Sequence, residues 1–213
     1  LDDNSLLAAS LDGLGQIDLL RGRVRASLNK YGQIADIRRR LGDQVGLMES
    51  LNSLAAIYTW LGEYQSVADA CQEALSFVRK VGNLPSVSSL HTYLAVSYLN
   101  QGDLGAAVDQ LQAGVLVARW LDHIASQVIG LSWLAYYYLI VGWFDEALTS
   151  VEEAVDLAAR LGSPLWDMRA RTSLGIVRLY RGELDEAIHV LTDVHEMACK
   201  WNFVLDQAVA RYE

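Results

Sequence analysis

Among the side chains suited to nucleophilic, acid–base or metal chemistry, the chain offers four histidines, His91, His123, His189 and His195, and two cysteines, Cys71 and Cys199. His195 and Cys199 stand four apart, which puts both on one face of a helix where they could share a metal. A zinc site needs three or four ligands, and neither neighbourhood supplies the rest, so no metal is expected. The two thiols are isolated, with no CxxC, and imply a reduced, cytoplasmic setting rather than a disulfide framework. Glu152-Glu153, and Glu183 with Asp185-Glu186, read as acidic faces or helix starts, because nothing pairs them as acid and base across a cleft. No G-x-G-x-x-G, phosphate-binding loop or G-x-S-x-G occurs. The chain is therefore expected to be no enzyme and to need no cofactor.

Charge narrows the partners. The 213 residues carry a formal charge of −9, and the central stretch is strongly acidic. Phosphate backbones are held by cationic arrays, so direct nucleic-acid binding is not expected. The one basic cluster, Arg38-Arg39-Arg40, reads as a solvated helix end whose positive charge suits the helix dipole. No apolar run reaches the roughly 18 to 20 residues that cross a bilayer, so no membrane contact is expected. The chain opens on Leu and stops in mid-pattern, and is expected to be a piece of a longer polypeptide.

What must position any binding residues is a 40-residue period. Gly22, Gly62, Gly102, Gly142 and Gly182 mark it. Eight residues before each stands Leu14, Leu54, Leu94, Leu134 or Leu174, followed by a small residue: Gly15, Ala55, Ala95, Ala135 or Gly175. Two residues after each glycine comes a large apolar side chain, Val24, Tyr64, Leu104, Phe144 or Leu184, and three further on a smaller one, Ser27, Val67, Ala107, Ala147 or Ala187. Large against small is what interlocking helix faces need. Twenty residues after each turn glycine stand Gly42, Gly82, Asp122, Gly162 and Asn202, all residues that tolerate the left-handed backbone closing a helix. Ser163-Pro164 supplies an N-cap residue and a proline at the first helical position. Each unit is thus two helices of about 18 residues, near 27 Å long.

The expected fold is all-α: a single domain over residues 1–213 of five stacked helical hairpins, 3–42, 43–82, 83–122, 123–162 and 163–202. Residues 203–213 would open a sixth first helix. A lone hairpin leaves one side of its Leu and Ala columns in water, and stacking on the next unit covers it.

These columns resemble the tetratricopeptide repeat, most closely in Leu134-Ala135, Tyr138, Gly142, Phe144, Ala147 and Ala154, and with one displaced alanine in Leu54-Ala55, Tyr58, Gly62, Tyr64, Ala68 and Ala74. The units are longer than the common 34-residue form and lack its closing proline. Forty-residue units of this kind are similar to the arrays of large bacterial signalling and regulatory proteins, among them maltose-activator-like transcription regulators and repeat-bearing nucleotide cyclases. The resemblance implies a right-handed α-α superhelix that binds a protein, a peptide or a small effector, and implies no reaction.

It also implies a groove lined by the first helix of each unit, at fixed offsets from the turn glycine. Those places hold Asn52 and Trp60, Thr92 and Asn100, Tyr136, and Arg169, Thr172 and Tyr180, with Ile129 and Ser132 among their neighbours. The Asn amides could bond a peptide backbone. The Lys and Asn set with which some relatives clamp a terminal carboxylate is not matched, so capture of a chaperone C-terminus is not expected. Of Tyr136-Tyr137-Tyr138, the last fills the packing column and one of the other two must point elsewhere. Trp143, where other units carry Arg23, Glu63, Asp103 or Glu183, reads either as a contact with a partner or neighbouring copy, or as packing on Trp120 or Trp166. The leading expectation is a protein- or peptide-binding scaffold. The alternative is an effector-sensing arm of a multidomain ATPase-type regulator or cyclase, and pairing of two copies through the array ends is a further expectation.

Overall fold

A computed structural model describes residues 3–81 and 85–201, and all their regular structure is helical. Ten helices follow in order: α1 (Asp3–Leu20), α2 (Val24–Leu41), α3 (Gln44–Leu61), α4 (Tyr64–Val81), α5 (Pro85–Asn100), α6 (Leu104–Trp120), α7 (Ile124–Val141), α8 (Phe144–Leu161), α9 (Pro164–Tyr180) and α10 (Leu184–Trp201). Their lengths, 16 to 18 residues, match the expected two helices per 40-residue unit.

The punctuation falls where the glycines put it. All five turn glycines, and Gly42 and Gly162, have φ between 65° and 82°. Asp122 is the one non-glycine with positive φ among the described residues, at 51°, and occupies the column that predicted it. Gly82, Asn202 and the expected sixth helix over 203–213 lie outside the described residues. At the helix starts, the Asp43 carboxylate accepts from Gly46 N and that of Asp103 from Ala106 N, each filling one of the four vacant amides of a first turn. Ser163 stands at the N-cap with Pro164 behind it, but its hydroxyl caps no amide.

The chain divides into two compact units, Leu1–Gln110 and Leu111–Glu213. In the first, α1 to α5 pack each on the next, and α3 also lies against α5. Its core joins Tyr31, Ile34, Met48, Leu51, Leu54, Val67, Cys71 and Leu90. In the second, α7 packs on α8, α8 on α9 and α9 on α10, and α7 lies against α9. Val115, Val128, Leu131, Leu157 and Ala170 form part of its core. In each unit, then, first helices one repeat apart lie side by side, which is how residues 40 apart in sequence become neighbours.

The small column closes the hairpins. A Cβ on Gly15 would stand 2.9 Å from the Tyr31 ring, and one on Gly175 would stand 2.6 Å from Leu191. The bare backbone of Gly15 also lets the buried Ser27 hydroxyl donate to its carbonyl at 2.9 Å.

Two expectations need correction. The arginine cluster is only in part a solvated helix end: Arg38 donates to Gly46 O at 2.6 Å and to Ser50 Oγ at 3.0 Å, tying α2 to α3. Arg39 forks onto Glu73 of α4 at 2.9 and 3.1 Å. Arg38 and Arg39 find acceptors on the neighbouring repeat, which a reading along one helix does not see, while Arg40 is exposed and donates to Asp36 O of its own helix. Second, α7 is long and apolar enough, by length and composition, to cross a membrane. More than half of it is buried within the protein, and it carries the repeat's own Leu134-Ala135, Tyr138 and Gly142, so it is read as a core helix.

Candidate functional site

The helix α7 has no charged residue over its 18 positions, because it faces apolar surroundings on two sides. One side is buried in the core of its unit. The other lines a cleft of about 550 Å³ between α7 and α9. Ile129, Ser132, Trp133 and Tyr136 come from α7, and Trp166, Arg169, Thr172 and Ser173 from α9. The volume falls within the ~300–1,000 Å³ of ligand pockets.

Aromatic rings form its walls. Trp133 and Tyr136 meet edge to face at 6.0 Å, and both contact Tyr137 in the same manner. The tyrosine run resolves by helix geometry: Tyr137 is buried, Tyr138 sits in the packing column and Tyr136 is 45% exposed at the cleft. Burial pushes the Tyr137 phenol well above its ordinary range, and its Oη has no hydrogen-bond partner. Across the cleft the Arg169 guanidinium lies 5.6 Å from the centroid of the Trp166 ring.

The column ten residues before the turn glycine is polar throughout: Asp12, Asn52, Thr92, Ser132 and Thr172. Thr92 and Thr172 turn their hydroxyls onto Ser88 O and Met168 O of their own helices. Asn52 Oδ1 and Ser132 Oγ, both buried as atoms, have no partner. Such atoms hold unused hydrogen-bonding capacity, which in a buried setting costs about 1–3 kcal/mol until something satisfies it.

The structure thus gathers five of the groove residues expected from sequence, Ile129, Ser132, Tyr136, Arg169 and Thr172, into one cleft. Tyr180, on the same helix as Arg169, is exposed but does not line it. In the other unit, Asn52 and Trp60 share α3, with Trp60 67% exposed. Thr92 and Asn100 share α5, where Thr92 is buried and the Asn100 amide donates to Val96 O. Trp143 stacks on Tyr138 at 5.7 Å, rather than on Trp120 or Trp166, and stays half exposed. Val128, Trp133, Trp166 and Ser173 were missed as lining residues because they lie outside the offsets carried over from the resemblance; the signal was the concentration of aromatics in the two adjacent repeats.

Two other clusters gather polar side chains without forming a site. A smaller pocket near α1 contains Asp18, Arg23 and Lys30, but the carboxylate of Asp18 pairs with both cations. His195 Nε2 lies 3.7 Å from Cys199 Sγ, and among the described residues no three His, Cys, Asp or Glu side chains converge.

The tetratricopeptide-repeat family model matches residues 47–81. No curated protein matches in sequence. Solved structures do match in fold. A putative kinesin light chain from Podosopora anserina with nearly identical tetratricopeptide-like repeats is 21% identical at a TM-score of 0.71, with 95% of this chain and 99% of that one covered. A Rap protein complexed with competence and sporulation factor is 14% identical at a TM-score of 0.87, with 99% of this chain and 59% of that one covered. A signal transduction ATPase with numerous domains from Pyrococcus horikoshii, bearing a tetratricopeptide repeat sensor, is 13% identical at a TM-score of 0.76; 97% of this chain covers 33% of that one. The chain therefore spans little more than half of the second and a third of the last.

Proposed function

We propose that the chain, which matches the tetratricopeptide-repeat model over residues 47–81 and shares the fold of such repeat proteins, is a non-catalytic module holding a protein or peptide segment against first helices of its repeats. The observation that carries this is the α7–α9 cleft, where aromatic walls and one cation converge on open space. Apolar walls with a few placed polar groups are the usual make-up of a binding site, and helices supply them rigidly. A fold neighbour, the Rap protein, was solved in complex with a factor.

The test is selection from a random peptide library on the immobilised protein. The scaffold reading expects enriched peptides whose binding falls at least about tenfold when Trp133, Tyr136 and Trp166 of the cleft are replaced together by alanine, with helicity retained by circular dichroism. Binding that survives that replacement would place the ligand elsewhere.

A second reading, an effector-sensing arm of a larger regulator, is favoured by one observation: the chain aligns with a third of a multidomain ATPase that carries such a repeat sensor. The cleft would then hold a small molecule, and calorimetric titration with metabolite pools would give heat where peptide pools give none.

A further inference from the structure

We infer that the α7–α9 cleft takes a peptide segment in which an aromatic side chain stands beside an internal carboxylate, the ring lying among Trp133, Tyr136 and Trp166 and the carboxylate on Arg169. This rests on the peptide-binding reading above and adds the ligand's chemistry to it.

Arg169 carries the argument. Between residues 169 and 181 there are four arginines. Arg171 meets Asp167 at 2.9 Å, Arg178 meets Glu183 at 3.3 Å, and Arg181 meets Asp145 at 2.5 Å and Glu183 at 2.7 Å. Arg169 pairs with no acid among the described residues, in a chain with 26 acidic side chains against 17 basic ones. The nearest acid in sequence that shares its helix, Asp167, is already engaged by Arg171. Arg169 is also the only charged residue lining the cleft.

Its setting selects the counter-charge. A guanidinium stacked on a ring leaves its planar fork of N–H donors free, and that fork matches a carboxylate in two parallel bonds. The cation–π contact with Trp166 places the guanidinium beside an aromatic surface, so a ligand reaching it must also cover rings. Trp133 and Tyr136, fixed edge to face, leave a face for a third ring from outside. One cation suits a single carboxylate better than a phosphate backbone, which needs an array.

The hydroxyls divide in the same sense. Thr172 and Ser173 donate to Met168 O and Arg169 O of their own helix. Ser132 Oγ makes no such bond, but it is buried away from the cleft surface, so no hydroxyl there competes with Arg169 for a ligand.

The test is calorimetric titration with three capped tetrapeptides, acetyl-Ala-Phe-Glu-Ala-amide and its Gln and Lys counterparts, and with free 3-phenylpropionate, in low salt. The expected order is Glu tighter than Gln and Gln tighter than Lys, with Glu favoured over Gln by about tenfold, the value of a charge-assisted contact. In Arg169→Gln the Glu and Gln peptides should come within about twofold of one another while the Gln peptide keeps its parent affinity, because only the charge contact is removed. Equal affinity for Glu and Gln peptides in the parent would overturn the carboxylate assignment and leave peptide binding standing. Binding of 3-phenylpropionate with none of the peptides would overturn the peptide reading itself. No binding of any probe would overturn both.

Discussion

Four residues before the turn glycine, Tyr58, Tyr98 and Tyr138 fill one column in the middle repeats, while Asp18 and Arg178 fill it in the first and last. The residue after the glycine changes with it. Asp18 faces Arg23 at 2.6 Å, Arg178 faces Glu183 at 3.3 Å with the signs reversed, and Tyr138 faces Trp143 as a stacked ring. Trp143 is thus first a partner of Tyr138, which the sequence did not reveal because the pairing crosses the turn. Hydrogen bonding from Lys30, with the nearby Arg23 charge, holds the Asp18 carboxyl below its ordinary range. A depressed carboxyl pKa contributes stability above the unfolded value near 3.8 that is lost as pH falls through the folded one. Asp18→Asn should accordingly flatten the acid limb of a stability–pH curve measured by urea unfolding below about pH 4.

Two buried hydrogen-bonding groups make opposite predictions. Tyr137 Oη has no partner, so Tyr137→Phe removes an unsatisfied group and keeps the ring. Chemical unfolding should show this variant more stable by about 1 kcal/mol. Burial pushes the Cys71 thiol from 9.0 up to about 12. The unfolded thiol ionises first, so stability should fall as pH rises from 9 towards 12, and Cys71→Ala should remove the earliest part of that fall, before the buried tyrosines join it. At pH 8 a thiol reagent should find Cys199, which is exposed, and miss Cys71 until the protein unfolds.

At the scale of the helix, sequence was most legible where backbone geometry alone decides. A left-handed residue must end each helix, few side chains tolerate that, and the columns of glycine with Asp122 followed directly. Asp122→Gly should raise thermal stability by up to about 1 kcal/mol, relief of left-handed strain outweighing the greater freedom of the unfolded chain. Packing between helices was half legible. The small column announced a close approach, but its partner, sixteen residues on, became visible only with the contact of Gly175 and Leu191. Gly175→Ala should cost about 1–2 kcal/mol despite the better helix propensity of alanine, since Leu191 must move. Adding Leu191→Val, which recreates the register pair Ala135 and Val151, should restore most of the loss in differential scanning calorimetry. Arg39 to Glu73 and Arg119 to Glu153 repeat at one spacing of 34 between second helices, a regularity invisible until those helices are neighbours. Half exposed, each contributes at most about 1 kcal/mol.

For the whole molecule, charge and cleft point to one kind of partner. A chain of net charge −9 with its arginines largely engaged should show no retention on a duplex-DNA column even in low salt. The cleft itself was legible only in part, because a site made by two helices forty residues apart depends on which faces the repeat step brings together. Ile129, Ser132, Tyr136, Arg169 and Thr172 came through by their offsets, whereas Val128, Trp133, Trp166 and Ser173 needed the coordinates. The central claim, that the first helices α7 and α9 hold the ligand, is tested most directly by photo-crosslinking the Glu tetrapeptide with its phenylalanine replaced by benzoylphenylalanine and mapping the adducts by mass spectrometry. Adducts at Ser132, Trp133, Tyr136, Trp166 or Ser173 are predicted; adducts confined to α8 or α10 would contradict the account.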